Sequence, residues 1–392
     1  MTIHYDPFLE EVRTDPLPIY KRLRDEAPAY YMPKYDAWAL SRFQDIWDSL
    51  SNNALSTTRG TTPAQLLTKD QPVYSVLNTM DPPDHTKLRS VVRKLFLPQH
   101  VRAVTPVASE LAGKLLDEVA DRDEFDVIGD FAARLSVTIA CMAIGLPVED
   151  GPMLTGLIQK FLTHDPSKEG ITQEGIAALE EIHRYGEEKI RERRRSPKEG
   201  PEALNALATF ELNGERFDDA AAGVHVSLLV IGGSETFPKV LASGLQRLWE
   251  YPDQRAALVA DPSGIPDAFN EILRYDMPTQ MLGRTLLEDV SIHGETMKKG
   301  QPVVLLYASA NRDEREFEKP DVFDIKRGAQ RFMSFSAGHH ACLGTHVARM
   351  EGKVCLEQIL SRFPNYELDL DRAVRLRTEF VQGYASLPLR IR

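Results

Sequence analysis

The sequence predicts a mainly α-helical fold with small β-sheets attached, built as one domain over residues 1–392. Three observations predict it. Apolar residues recur at three- and four-residue spacing over most of the chain, as on amphipathic helices. Strand-like runs are short and come in isolated pairs. No repeat, low-complexity tract or linker divides the chain.

Residues 16–27 read as the first helix, with a strand pair at 29–31 and 37–40 after it. Segments 84–96, 101–120 and 125–144 carry helical periodicity, and Gly145-Leu146-Pro147 stops the third. A long helix over 172–195 runs into the turn-rich loop 196–201. Residues 218–249 form the longest helical pattern, apolar around most of its circumference at 224–231, so its middle belongs in the interior. Helices at 253–260 and 265–275 follow. His293-Gly294 then joins a small hairpin of 290–292 and 295–297, 303–307 reads as a buried strand, 343–363 as the final helix and 387–392 as a last strand.

With 42% hydrophobic and 27% charged residues the composition is that of an ordinary globular protein. A net charge of −11 argues against general nucleic-acid binding, which needs a basic surface to displace counterions. The three cysteines, Cys141, Cys342 and Cys355, make no disulfide framework, so a reducing cytoplasm is expected. The first ten residues read as neither signal peptide nor anchor, and the most apolar windows, 137–146 and 224–231, read as too short to span a membrane.

The most informative stretch is Phe335-Ser336-Ala337-Gly338-His339-His340-Ala341-Cys342-Leu343-Gly344. Small and turn-forming residues present one cysteine at the expected start of a helix, whose unpaired N–H groups favour a thiolate. Gly338 permits a turn that a Cβ would hinder, and Gly344 would let a flat cofactor lie against the backbone. Within the long helix, Gly232-Gly233-Ser234-Glu235-Thr236 costs helix stability, and Pro238 removes the N–H that Ser234 would accept. An opened helix with an acid and an alcohol, Glu235 and Thr236, suits proton handling beside a small ligand. Glu271 and Arg274 share a helix face, as do His85 and Arg89.

The spacing Phe335-x-x-Gly338-x-His340-x-Cys342-x-Gly344 resembles the haem-binding loop of the cytochrome P450 family. The resemblance runs from Asp6-Pro7-Phe8 to Leu387-Pro388 and lies nearest to soluble bacterial members. It implies the P450 fold, with a long central helix over haem b (iron protoporphyrin IX). It implies Cys342 as the axial iron ligand, with Phe335, Gly338, Gly344, Gly232 and Gly233 framing the haem. His85, Arg89, Arg284 and His340 match propionate-binding positions, for which arginine offers paired hydrogen bonds. Glu271, Arg274 and Arg327 match a structural ionic triad, which needs all its members. Glu235 and Thr236 match the acid–alcohol pair that delivers protons to dioxygen. Two departures stand out: Ser336 where the family usually has glycine, and Phe237 where a second threonine is common.

The implied reaction is insertion of one atom of O2 into an apolar small molecule. Electrons would come from a ferredoxin and its reductase docking on Lys87, Arg93, Lys94, Arg331 and Arg349. Segments 61–76, 157–162, 228–236, 277–282 and 380–384 match the family's substrate-contact regions. Within them Leu228, Leu229, Met281 and Phe380 favour an apolar ligand, and Gln280 and Gln382 offer a polar handle.

Overall fold

The computed structural model describes residues 3–69, 73–163 and 171–391. Its axis begins at Asp218, whose carboxylate accepts the Ala221 N–H at 2.6 Å and so caps the long central helix. The single helix expected over 218–249 is two. Asp219–Ser234 and Thr236–Glu250 part at Glu235, where the backbone leaves ideal helix at φ −96°, ψ −39°. Pro238, one turn on, explains the break: the Ser234 carbonyl has no N–H to receive and is crowded by the ring.

Asp219–Ser234 crosses Gln173–Arg195 at a pair of glycines. A Cβ built on Gly186 would stand 2.3 Å from the Gly223 carbonyl oxygen, so this crossing tolerates no larger residue. Ala133–Ile144 packs on the same central helix and joins an apolar cluster with Leu154, Ile182, Val226 and Val230. The larger cluster surrounds Thr236–Glu250, where Leu241, Leu245 and Leu248 are fully buried beside Phe269 and Ile272 of Ile265–Tyr275. Each such leucine is worth roughly 1.5–3 kcal/mol of burial.

A five-stranded sheet flanks the helices in the order Ala29–Met32, Ala37–Leu40, Pro302–Leu305, Leu282–Leu286, Leu55–Ser56. Only Pro302–Leu305 against Ala37–Leu40 is parallel. Val303 pairs with Arg284 in the antiparallel register of Pro302–Leu305 with Leu282–Leu286. The strand expected over 303–307 ends at Leu305, and Tyr307 opens a short helix, Tyr307–Ala310. An unexpected ribbon, Val374–Arg377 with Gln382–Ser386, carries a turn pinned to the chain before Leu282: Gln280 N–H donates to the Phe380 carbonyl (2.8 Å) and Gln382 N–H to that of Pro278 (2.9 Å).

The expectation that the most apolar windows are too short to span a membrane is corrected by the lengths of the apolar segments. Val127–Ile144 and Asp219–Glu250 are long and apolar enough to cross a membrane by length and composition alone. Within these segments Phe131, Leu135, Val226 and Leu245 have no exposed surface, and 67% of the most apolar window of Val127–Ile144 and 44% of that of Asp219–Glu250 is buried in the protein.

Candidate active site

The cysteine loop lies between two short 3₁₀ turns, Met333–Phe335 and Gly338–His340, and the helix Thr345–Arg362. The Cys342 N–H donates to the Phe335 carbonyl (2.8 Å), closing the loop on itself. Gly338 has φ +65°, and a Cβ there would stand 2.1 Å from the Leu50 carbonyl oxygen, so glycine is required for both reasons. Cys342 Sγ opens into a cleft, although protein surrounds it closely on the other sides. The helix starts three residues later than the thiol. Burial pushes the Cys342 thiol up, against the opposing pull of the Gly344 N–H, the Thr345 hydroxyl and the Arg89 charge.

The break in the central helix faces this sulfur. Cys342, Phe335, Gly344, Gly232, Gly233, Thr236 and Leu229 line one cavity. A Cβ on Gly232 would meet nothing within 4 Å, so that glycine borders open space. Gly233 has a packing reason instead, because its Cβ would come 3.1 Å from that of Ala140. Phe237 fills the wall of the same cavity and packs on Phe269.

Thr236 also borders a second cavity of about 280 Å³, lined by Leu228, Val224, Leu179, Phe161 and Phe380, with Tyr74 and His183 on its polar side. Glu235 reaches this cavity, but its carboxylate pairs with the buried Lys239 one turn on. The Lys239 stem lies across Gly383, where any Cβ would fall 2.8 Å from that of Lys239. Burial lowers the Lys239 ammonium to about 7. Sequence reasoning missed Lys239; a lysine four residues after the acid on an apolar helix face was the available signal.

On the other side of the cysteine loop, basic groups converge beside another cavity that Arg284 and His340 line. His85 and Arg89 lie on Asp84–Val92, Arg284 on Leu282–Leu286 and His340 on the cysteine loop. The His85 and His340 rings are 4.2 Å apart. Arg89 donates to the Ala341 carbonyl, next to Cys342. Burial first, then Arg284, His85 and Arg89, holds His340 down to about 3. Burial, Arg89 and His339 hold His85 down to about 4, with Asp81 opposing. Both ring nitrogens of the buried His85 lack a hydrogen-bond partner among the described residues.

The triad is closed. Arg274 donates twice to Glu271 (2.8 Å each), and Arg327 Nε reaches both carboxylate oxygens at 3.1 Å. The remaining guanidinium N–H groups go to carbonyls of Asn311, Pro320, Glu318, Lys319 and Val322.

Three residues expected in the pocket lie elsewhere. Met281 is buried in the core, its sulfur accepting the Tyr5 hydroxyl at 3.9 Å. Gln280 turns back to the carbonyls of Met277 and Pro278, and Gln382 donates to the Arg13 carbonyl. The local turn takes the Gln280 amide, a distant carbonyl that of Gln382, and core packing the Met281 side chain. Part of the expected 61–76 segment, residues 70–72, lies outside the described residues. Among the expected docking cations, Arg331 is held by Glu316 (2.6 Å) and stacks near Phe43 and Trp47, and Lys87 is held by Asp84. Arg93 and Lys94 are exposed, and Arg93 and Arg349 both bear on His346 beside the cysteine loop.

Comparison with known proteins decides the family. A protein of Mycobacterium tuberculosis described as a putative cytochrome P450 123 is 36% identical over 390 residues, covering 98% of this chain and 96% of its own. The chain belongs to the cytochrome P450 family. The family model, Cytochrome P450, matches residues 265–383. The solved structure of the bacillaene polyketide synthase P450 PksS from Bacillus subtilis superposes with TM-score 0.87 at 28% identity, covering 99% of this chain and all of that one. CYP109E1 from Bacillus megaterium, solved with testosterone, gives 0.87 at 27% identity over 98% of this chain and 99% of that one.

Members of the family are haem-thiolate monooxygenases, and the residues of this P450 fit such a cofactor. The orphaned His85 nitrogens and the mutually repelling bases beside the cysteine loop suit an anionic edge, and the open space at Gly232 suits a flat body. Beyond Gly344, a Cβ would meet only Cys342 Sγ, at 3.8 Å.

Proposed function

We propose that this P450 holds haem b through Cys342 and hydroxylates an apolar small molecule, drawing electrons from a ferredoxin and its reductase. The reading is carried by one observation: Cys342 and Thr236 line one cavity, and on the other side of the same cysteine loop His340 lines another with Arg284, its ring 4.2 Å from that of His85. When bound, the thiolate-ligated iron supplies electron density that favours O–O cleavage.

The chain's own residues do the rest. Arg89, Arg284 and His340 bind the propionates, and His85 supplies the hydrogen-bonding atoms that lack a partner. Leu228, Val224, Leu179 and Phe380 hold the substrate by apolar contact and exclude water around it. The Thr236 hydroxyl, on the wall shared by both cavities, accepts and passes protons where the helix is open. Glu235 is the acid behind it, paired with Lys239. Arg93, Lys94 and Arg349 form the surface an acidic ferredoxin meets. The Glu271–Arg274–Arg327 triad fixes the chain before the cysteine loop.

Product formation with NAD(P)H and a surrogate ferredoxin system tests the reading. A ligand that shifts the ferric spectrum from low to high spin should then yield a product one oxygen atom heavier, labelled by ¹⁸O2. Spin shift without oxygenated product in the coupled system would sink it.

A further inference from the structure

The cavity of about 280 Å³ that Thr236 borders has unlike ends. Gly232, Thr236 and Thr279 belong to its wall and to that of the Cys342 cavity, so the end they form is the one beside the thiol. Tyr74, from the loop before the turn Leu77–Thr79, meets His183 of Gln173–Arg195 elsewhere on the wall, the rings 4.5 Å apart and at 80°. Two contacts place this pair along the central helix. The Ser227 hydroxyl donates to the carbonyl of Ile182, the neighbour of His183, at 3.0 Å, and the Leu77 N–H donates to His225 Nδ1 at 3.3 Å. Ser227 stands nine residues before Thr236, roughly 13 Å of helix. The pair therefore marks the far end.

The Tyr74 hydroxyl and the His183 ring nitrogens have no hydrogen-bond partner among the described residues. Their neighbours on the wall are engaged locally: Gln65 accepts the Thr61 N–H at 2.9 Å, and the Thr79 hydroxyl accepts the Val76 N–H at 3.0 Å. Burial lowers the His183 ring below its ordinary value, with Glu180 opposing, so the ring is neutral at pH 7. A phenol and a neutral imidazole each donate and accept. Among the described residues no lysine or arginine lines the cavity, and its one charged side chain, Glu235, is already paired with Lys239. A charged head group would lose its water there and meet no counter-charge. A hydroxyl or carbonyl would find two partners.

We propose that the substrate is a neutral amphiphile: an apolar body with one hydroxyl or carbonyl group, which Tyr74 and His183 hold so that the opposite end meets Thr236. The inference rests on the monooxygenase reading of the same site and narrows its substrate class.

The test titrates the haem-loaded protein by calorimetry, which reads binding whatever the iron does. The probes are decan-1-ol, decanoate, decyltrimethylammonium and p-cymene. The parent should bind decan-1-ol about tenfold tighter, or more, than either charged chain. Tyr74→Phe and His183→Phe should each weaken decan-1-ol about threefold to tenfold, as for one lost hydrogen bond. His183→Gln keeps a donor and an acceptor and should recover part of that loss. Binding of p-cymene, which has no hydrogen-bonding group, should be the same in all forms, as it is only if the variants keep their fold. In the coupled system the parent should oxidise decan-1-ol in the half of the chain remote from its hydroxyl, and the double variant should spread oxidation along it. Parental decan-1-ol affinity in both phenylalanine variants, or decanoate bound by the parent as tightly as decan-1-ol, overturns the proposal. Binding in the predicted order with no oxygenated product would instead sink the monooxygenase reading and leave the head-group assignment standing.

Discussion

Two ionic clusters lie in the same protein and are built on opposite principles. In the Glu271–Arg274–Arg327 triad every charge is answered within the chain: the carboxylate oxygens accept from both arginines, and the spare N–H groups end on carbonyls. In the His85–Arg89–Arg284–His340 cluster bases crowd one another, and the two buried nitrogens of His85 have no hydrogen-bond partner among the described residues. A buried polar group without a partner costs about 1–3 kcal/mol. The first cluster is finished by folding. The second is finished by a ligand, and the difference marks which one serves structure and which function.

Breaking the closed cluster should have the largest effect. Glu271→Gln leaves two buried guanidiniums without their counter-charge, with an expected loss of about 3–5 kcal/mol in denaturant unfolding of the haem-free protein. A loss within experimental error would mean the cluster is dispensable. The open cluster should respond with the opposite sign. His85→Phe removes two orphaned nitrogens, so the haem-free protein should unfold at equal or higher denaturant while the loaded protein releases haem about tenfold faster. Destabilisation of both forms alike would equate the two clusters and break the contrast.

Acid sharpens it further. Burial and neighbouring cations hold the His85 and His340 rings neutral, at about 4 and about 3, against an unfolded value of 6.5. The unfolded chain therefore binds more protons below pH 6.5. The stability these rings contribute is fully present above that value and is lost as pH falls toward 3. Each such group costs up to ~1.4 kcal/mol per pH unit in that window. Haem should flatten the slope, because propionates make protonation of the same rings less costly. Parallel acid profiles with and without haem would contradict this.

Smaller effects come from two other buried groups. Lys239→Met leaves the Glu235 carboxylate without its partner and should cost about 1–3 kcal/mol, recovered in part by adding Glu235→Gln. Glu351 lies in the wall of the Cys342 cavity, held by Ser136 at 3.0 Å, and burial pushes its carboxyl up to about 8. It is protonated when folded and ionised when unfolded, so its contribution is complete below 4.5 and is lost as pH rises toward 8. Glu351→Gln should therefore be neutral near pH 4.5 and stabilising at pH 8, read from melting temperatures at the two values.

Much of this was legible in the chain. Helical spacing located the long helices, and the run from Phe335 to Gly344 located the cysteine loop, because glycine, histidine and cysteine at that spacing have few other uses. The break at Glu235 followed from Pro238. Tertiary contacts were not legible. Met281, Gln280 and Gln382 lay in the right segments, yet hydrogen bonds and core packing took their side chains away from the cavity. Arg331 read as a free surface charge because Glu316, its partner, lies on a separate segment. The reason for Gly233 was a neighbouring helix, and no spacing within its own helix announces Ala140.

The central claim is sulfur on iron at one position. X-ray absorption fine structure at the iron edge, on the haem-loaded protein and on Cys342→Ser, tests it most directly. A single sulfur scatterer in the parent that vanishes in the variant, with Cys141 and Cys355 untouched, is the predicted result. A sulfur ligand that survives the substitution, or a parent whose iron has none, would contradict the account.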